Sequence, residues 1–260
     1  MLKRFLQALA LAAGLVAVCS SAQADALADI KKAKVIKIAV PQDFPPFGSV
    51  GKDMKPHGYD IAVAHLIGKA LGVRVEIVPV DSGNRIPYLQ TKKVDLVISS
   101  LGKNPDREKV IDFSAAYAPF FSGAFAPADV KIGSVADLAG KTVAVTRGAL
   151  EDLELTKIAP PTADIKRFEN NNATISAYLA GQVQVLVSGN VVAAAIAERG
   201  GARKPESKFV IKESPCYIGL NKGEPALLAW VNEFVASAKK SGDLNAVSQK
   251  WLHAPLPAGF

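Results

Sequence analysis

Hydrophobic and polar positions change period along this chain in a repeating order, and that order predicts its elements. Residues 35–40 (VIKIAV) are an apolar run suited to a buried strand, and residues 73–80 alternate as a second strand. Between them Val63, Leu66, Ile67, Ala70 and Leu71 keep helical spacing, with Asp60 placed to cap the helix and Gly72 to end it. Residues 86–89 form a helical turn, and residues 94–100 a third strand whose apolar centre ends in Ser99 and Ser100. A short helical piece at 29–34 precedes all of these. A second unit repeats the theme with a short helix at 134–138, a strand at 142–146 and a helix entered through Gly148. Strand 165–168, helix 173–180, strand 183–188, helix 191–199 and strand 209–212 complete it. Strands alternating with helices predict an α/β fold of mostly parallel sheets flanked by helices, whose ligands sit outside the carboxyl ends of the strands. The loops at those ends, 41–47, 81–85 and 99–107, converge on one rim.

The tail breaks the alternation. Residues 225–240 place Leu227, Val231, Phe234, Val235 and Ala238 on one helical face, Gly242 ends the helix, and Leu244, Val247 and Trp251 make a second stripe. Both stripes read as core packing that returns over the first lobe. The expected architecture is two α/β lobes joined by two crossings, near residues 118–123 and 213–219.

Length and composition, 260 residues at 49% hydrophobic, suffice for two lobes with their own cores. Lys3 and Arg4, an apolar run over 9–18 and the Ala22-Gln23-Ala24 pattern define a signal peptide over residues 1–24, which predicts export to the periplasm. That run is too short to span a bilayer. Cys19 lies within the signal, and Val18 before it fits a lipoprotein cleavage box poorly, so no lipid anchor is expected. Cys216 then stands alone in the mature chain, without an internal disulfide, and its apolar neighbours predict a buried structural thiol. Loss of Lys3 and Arg4 with the leader takes the formal charge from +7 to +5. The basic residues are scattered, which argues against a nucleic-acid interface, while a mild positive field gathers anions or zwitterions. Asp43, Asp53 and Asp60 lack the spacing of a calcium loop, and neither a metal nor a cofactor is expected.

Candidate chemistry centres on Arg107. Asn104-Pro105 reads as an N-cap followed by proline at the first helical position, which puts Arg107 in a first turn where the macrodipole disfavours a cation. Two readings stay open: a site that receives an anion beside Ser99 and Ser100, or a surface arginine paired with Asp106 and Glu108.

Several stretches together resemble the bacterial extracellular solute-binding proteins of family 3, the periplasmic partners of ABC importers for polar amino acids. They are Gly58-Tyr59-Asp60-Ile61, Arg85-Ile86-Pro87-Tyr88-Leu89 with Val94-Asp95-Leu96, and Pro105-Asp106-Arg107 leading to Ile111-Asp112-Phe113-Ser114 and Tyr117. Asp137-Leu138-Ala139-Gly140-Lys141, Arg147-Gly148, Ala180-Gly181 and Lys250-Trp251 follow. The resemblance implies a type II periplasmic-binding-protein fold, a monomer with a hinged cleft, one lobe from residues 25–120 plus 217–260 and the other from 121–216. It implies a ligand-binding protein that delivers its ligand to a permease. By position, Arg107 resembles the clamp on the ligand α-carboxylate, and Ser100 the strand-end group for the α-ammonium. The N–H groups from Gly148 to Leu150 would complete the carboxylate site, and Phe44 would lie against the ligand side chain. Ser82 and Arg85 match a segment used by dicarboxylic amino-acid binders, which implies an acidic or amide ligand; otherwise Arg85 pairs with Asp81 or Asp95. Three positions depart from the pattern. Gly102 stands where Ser or Thr is usual, Pro41 where some members carry Asp or Arg, and Gly189-Asn190 where a carboxylate pairs with the ammonium. Asp43 or the Asn190 amide are candidate substitutes, and an organic acid or modified amino acid is the other way to satisfy the site. Two alternative functions remain: an enzyme resembling cyclohexadienyl (arogenate) dehydratases, or a periplasmic sensor. The enzyme would need an acid or base in the cleft, and His57, His65 and His253 all fall off the rim loops.

Overall fold

The computed structural model describes residues 26–260; the expected signal peptide and Cys19 lie outside the described residues. Helix α1 (Ala26–Ala33) leads into β1 (Val35–Pro41), and an antiparallel meander of β2 (Asp43–Phe44), β3 (Gly48–Val50) and β4 (Pro56–His57) follows. Next come α2 (Tyr59–Leu71), β5 (Arg74–Val80), a 3-10 turn (Ser82–Asn84), α3 (Arg85–Gln90), β6 (Leu96–Leu101), α4 (Pro105–Glu108) and β7 (Ile111–Ala118). The chain then enters the second sheet with β8 (Phe121–Ala126), followed by a 3-10 turn (Val135–Leu138), β9 (Thr142–Thr146), α5 (Leu150–Ile158) and β10 (Asp164–Phe168). Helix α6 (Asn171–Leu179), β11 (Val185–Gly189), α7 (Asn190–Glu198) and β12 (Glu206–Glu213) complete this lobe. The chain returns as β13 (Cys216–Asn221) and ends in α8 (Pro225–Ser241) and α9 (Asp243–Leu252).

The two five-stranded sheets share one plan, β5-β1-β6-β13-β7 and β10-β9-β11-β8-β12. In each, four strands run in one direction, three of them adjacent as the strand–helix alternation implies, and one strand (β13 in the first sheet, β8 in the second) runs opposite to both of its neighbours. The antiparallel pairs include β7 with β13, whose residues fall in the family motif and at the second crossing. Two short passages join the sheets, one between β7 and β8 and the other between β12 and β13.

The core follows from the strand composition. Ile36, Ile38, Leu96 and Ile98 are fully buried, each contributing roughly 1.5–3 kcal/mol relative to exposure. The largest apolar cluster passes from the first sheet to the second through Phe44 and Phe120. Helix α8 packs on β7, and α9 on α2 and α8, so the tail covers the first lobe. Gly72 and Gly242 end α2 and α8 in left-handed geometry, as their positions predicted. Cys216 is buried and free, and burial pushes its thiol well above the usual range, which makes it inert.

Two expectations change. Helix α1 begins at Ala26 rather than Asp29. Asp60 is not the cap of α2; that place is held by Gly58, and the Asp60 side chain turns inward to partners far along the chain.

Candidate ligand-binding cleft

The rim is built at the carboxyl end of β6. Between the pairs Tyr217↔Leu101 and Gly219↔Val97, β6 advances four residues while β13 advances two, so β6 bulges. Ser100 lies in that bulge at φ +40, a left-handed conformation that costs a non-glycine residue energy. Asp60 holds it there: Oδ2 accepts the Ser100 N–H at 2.7 Å, while Oδ1 accepts the Tyr117 hydroxyl at 2.6 Å. The Tyr59 hydroxyl donates to the Tyr117 carbonyl at 2.9 Å, which fixes the ring that serves Asp60. Burial pushes the Asp60 carboxyl up to about 7, against the stabilising bonds from Tyr117 and Ser100 and the charge of Arg85.

Arg107 occupies the turn the sequence assigned to it. Asn104 Oδ1 accepts the Arg107 N–H at 2.9 Å, and Pro105 takes the first helical position. Its side chain is only 5% exposed, which excludes the surface-pair reading. Asp106 pairs instead with Lys109 and Lys157, and Glu108 with Lys103. Nη1 of Arg107 donates to the Gly102 carbonyl at 2.7 Å, and Nη2 to the Gly148 carbonyl at 3.0 Å. Two of the five guanidinium N–H donors are thereby used. Burial, and Arg85 next to it, lower the Arg107 pKa to about 10, so it stays cationic at neutral pH.

Arg85 is also buried, and its Nε donates to Ser99 Oγ at 3.0 Å. The alternative pairing fails: Asp81 accepts from Gln42 and Asp95 accepts the Lys37 N–H. Arg85 faces Glu151, Asp43 and Asp60 without a direct ion pair to any of them. Ser82 is buried nearby, with no partner for its hydroxyl among the described residues.

The second lobe closes over this rim through small residues. Gly148 has φ +71, and a Cβ there would stand 3.0 Å from the Gly83 Cα, so position 148 requires glycine twice over. Its N–H goes to Asp152 Oδ2 at 3.0 Å and that of Ala149 to the Thr146 carbonyl, so in this conformation Gly148 offers the rim its carbonyl. A Cβ on Gly102 would lie 2.3 Å from Leu150 Cδ2, which explains the missing hydroxyl residue: Leu150 fills its space. Gly189 has the same kind of cause. A Cβ there would meet the Phe120 ring at 2.3 Å and Phe44 at 3.3 Å. Phe44 therefore packs in an aromatic cluster with Phe47 and Phe120 at centroid distances of 6.2 Å.

Both suggested substitutes for a carboxylate at 189 are engaged. Asp43 Oδ2 accepts the Asn171 N–H at 2.6 Å and Oδ1 accepts its Nδ2 at 3.2 Å, which ties β2 to the start of α6 in the other lobe. Asn190 Oδ1 accepts the Phe121 N–H at 3.2 Å beside the crossing. Glu151, for which no sequence motif signals a role, is 4% exposed in the first turn of α5 and faces both Arg85 and Arg107. Burial pushes its carboxyl up, opposed by its own N–H and the two arginines. A polar cavity of about 460 Å³ lined by Gln42, Asp43, Asp81, Asn170 and Arg199 lies at the cleft mouth. No group of three or more potential metal ligands occurs among the described residues.

Two mixed α/β lobes that close on buried, ion-recognising side chains define the type II binding-protein class. The chain belongs to the bacterial extracellular solute-binding proteins, family 3, whose pattern matches residues 36–254. It is 26% identical over 253 residues to the L-cystine-binding protein TcyJ of Escherichia coli strain K12, covering 96% of this chain and 94% of that one. It is 28% identical over 233 residues to the glutamine-binding protein GlnH of Bacillus subtilis, covering 88% and 85%. A solved solute receptor for L-cysteine from Neisseria gonorrhoeae superposes with a TM-score of 0.82 at 31% identity, covering 87% and 93%. These relatives are binding proteins, and the chain is a binding protein rather than an enzyme.

Proposed function

We propose that the mature chain is the amino-acid-binding component of an ABC importer, working in the periplasm as a monomer that hands its ligand to the permease. Residues 25–120 with 217–260 carry Arg107, and residues 121–216 close over it. The ligand carboxylate docks on the free donors of Arg107, where a planar, permanently charged guanidinium donates two parallel bonds to it. Ser100, Ser82 and the Leu150 N–H lie around the same rim, and Phe44 backs it.

The charge inventory of the cleft carries the choice of ligand. Arg85 faces Glu151 and Asp43, and Arg107 faces Glu151 and Glu154, the last already balanced by Lys157 and Lys212, while the Asp60 carboxyl is pushed up to about 7. Two cations already face two carboxylates, so a ligand without net charge keeps the buried site balanced, whereas a second ligand carboxylate would be left uncompensated. This favours a neutral zwitterion with a polar, amide-like side chain over a dicarboxylic amino acid. Relatives are named for L-cystine, glutamine and L-cysteine but also for arginine and glutamate/aspartate, so the charge balance alone carries this choice.

The test is calorimetric titration of the ligand-stripped mature protein with L-glutamine, L-cystine, L-cysteine, L-glutamate and L-aspartate. A neutral amino acid should bind at least about 10-fold more tightly than either dicarboxylic one, a difference of about 1.4 kcal/mol. Tighter binding of glutamate or aspartate would overturn the charge-balance reading.

A further inference from the structure

We propose that Glu151 receives the ammonium group of the ligand and thereby makes the cleft select amino acids over simple carboxylic acids. This rests on the proposed function above.

Four buried carboxylates stand near the cleft: Asp43, Asp60, Glu151 and Asp152. Three have both oxygens occupied by other residues. Asp43 accepts from Asn171 twice, and Asp60 from Ser100 and Tyr117. Asp152 accepts from Gly148 N–H and from Arg167 Nε at 2.8 Å. Glu151, 4% exposed, has no side-chain ion pair among the described residues, and its own N–H is what holds its carboxyl down besides the two arginines. A carboxylate buried to this degree needs a cationic or hydrogen-bonding partner, or its desolvation opposes folding.

The arrangement around Glu151 suits a bipolar ligand. Arg107 and Arg85 both face it, yet their side-chain bonds go to the Gly102 and Gly148 carbonyls and to Ser99 Oγ. Glu151 lies three residues beyond Gly148, whose carbonyl already touches Arg107, so the carboxylate and guanidinium approach from opposite lobes. An α-amino acid carries its two charged groups on one carbon. With its carboxylate on Arg107, its ammonium falls toward the second lobe, where Glu151 is the carboxylate with capacity left. The alternative wall, at the β11–α7 junction, cannot supply one: Gly189 has no side chain, and Phe120 and Phe44 occupy the space one would need. Because Glu151 moves with the second lobe, its bond to the ammonium forms only on closure, coupling recognition of the amine to the closed state.

The experiment compares wild type with Glu151→Gln and Glu151→Asp. The probes are the twenty amino acids and L-cystine, followed by the des-amino analogue of each responder, such as glutaramate for L-glutamine. Circular dichroism and melting curves establish that both variants fold. Glu151→Gln should weaken the amino acid roughly 100-fold while changing the des-amino analogue less than about 3-fold, because only the amine loses its charged partner. Glu151→Asp should recover part of the loss. Wild-type affinity for the amino acid in Glu151→Gln, or an equal loss for the analogue, overturns the assignment while leaving the proposed function intact. A wild type that responds to no amino acid overturns the proposed function itself, and this assignment with it.

Discussion

Arg107 Nη2 donates to the Gly148 carbonyl at 3.0 Å, so a guanidinium set by α4 in one lobe is bonded to the loop that opens α5 in the other. Its other bond, from Nη1 to the Gly102 carbonyl at 2.7 Å, stays within its own lobe. One side chain therefore reports the position of both lobes, and a ligand carboxylate on its free donors joins the same junction.

A second bond of this kind joins Asp43 to Asn171 through the N–H and the side-chain amide. In Asp43→Asn one carboxylate acceptor becomes a donor facing the Asn171 N–H, and the charge assistance is lost. The closed arrangement should weaken by about 1–3 kcal/mol. Scattering on the ligand-free variant should give a larger radius of gyration than wild type, and ligand dissociation should quicken. An unchanged radius and dissociation rate would remove Asp43 from the closure mechanism.

Gly102 and Leu150 are complementary across the cleft. Gly102→Ser brings a Cβ to within 2.3 Å of Leu150 Cδ2, so closure onto ligand should weaken by about 1–3 kcal/mol. Leu150→Ala makes room, and ligand affinities of the two single variants and the double variant should give a coupling energy of about 1 kcal/mol or more. Additive losses would mean that the two residues do not meet in the closed form.

The pH dependence of stability follows from Asp60. Its folded pKa, pushed up to about 7, lies above its ordinary 3.8, so the folded state holds this proton over the interval between them. Its stabilising contribution is full below the lower value and is lost as pH rises to the upper one, by an amount on the order of a few kcal/mol. In Asp60→Asn this titration is gone, at the expense of one accepted bond. Urea denaturation at pH 4, 5.5 and 7.5 should show the stability advantage of wild type over Asp60→Asn shrinking as pH rises. A difference that stays constant with pH would contradict the assignment.

What the sequence disclosed was local chemistry with local consequences. The Asn104-Pro105 cap, the glycine stops at 72 and 242, the apolar stripe of α8 and the buried Cys216 all follow from neighbours within a few positions. What it concealed depended on distant partners. Asp60 looked like a cap because it opens a helix, yet its partners are 40 and 57 residues away. Strands β7 and β13 pair with each other from either side of the whole second lobe in sequence, so nothing near either one shows its partner. Glu151 is polar and lies in a helix's first turn, a place that suits a solvated side chain, yet it is buried. Gly102 and Gly189 depart from the family pattern because Leu150 and Phe120, both remote in sequence, fill the space their side chains would need.

The central claim, that the cleft binds its ligand through a carboxylate on Arg107, is tested most directly by titrating wild type and Arg107→Ala with the amino acid that wild type binds best. Removing the guanidinium should weaken binding at least about 100-fold, while the two carbonyls it leaves unpaired should lower stability by only about 1–3 kcal/mol. A folded Arg107→Ala that binds the same amino acid with wild-type affinity would contradict the claim.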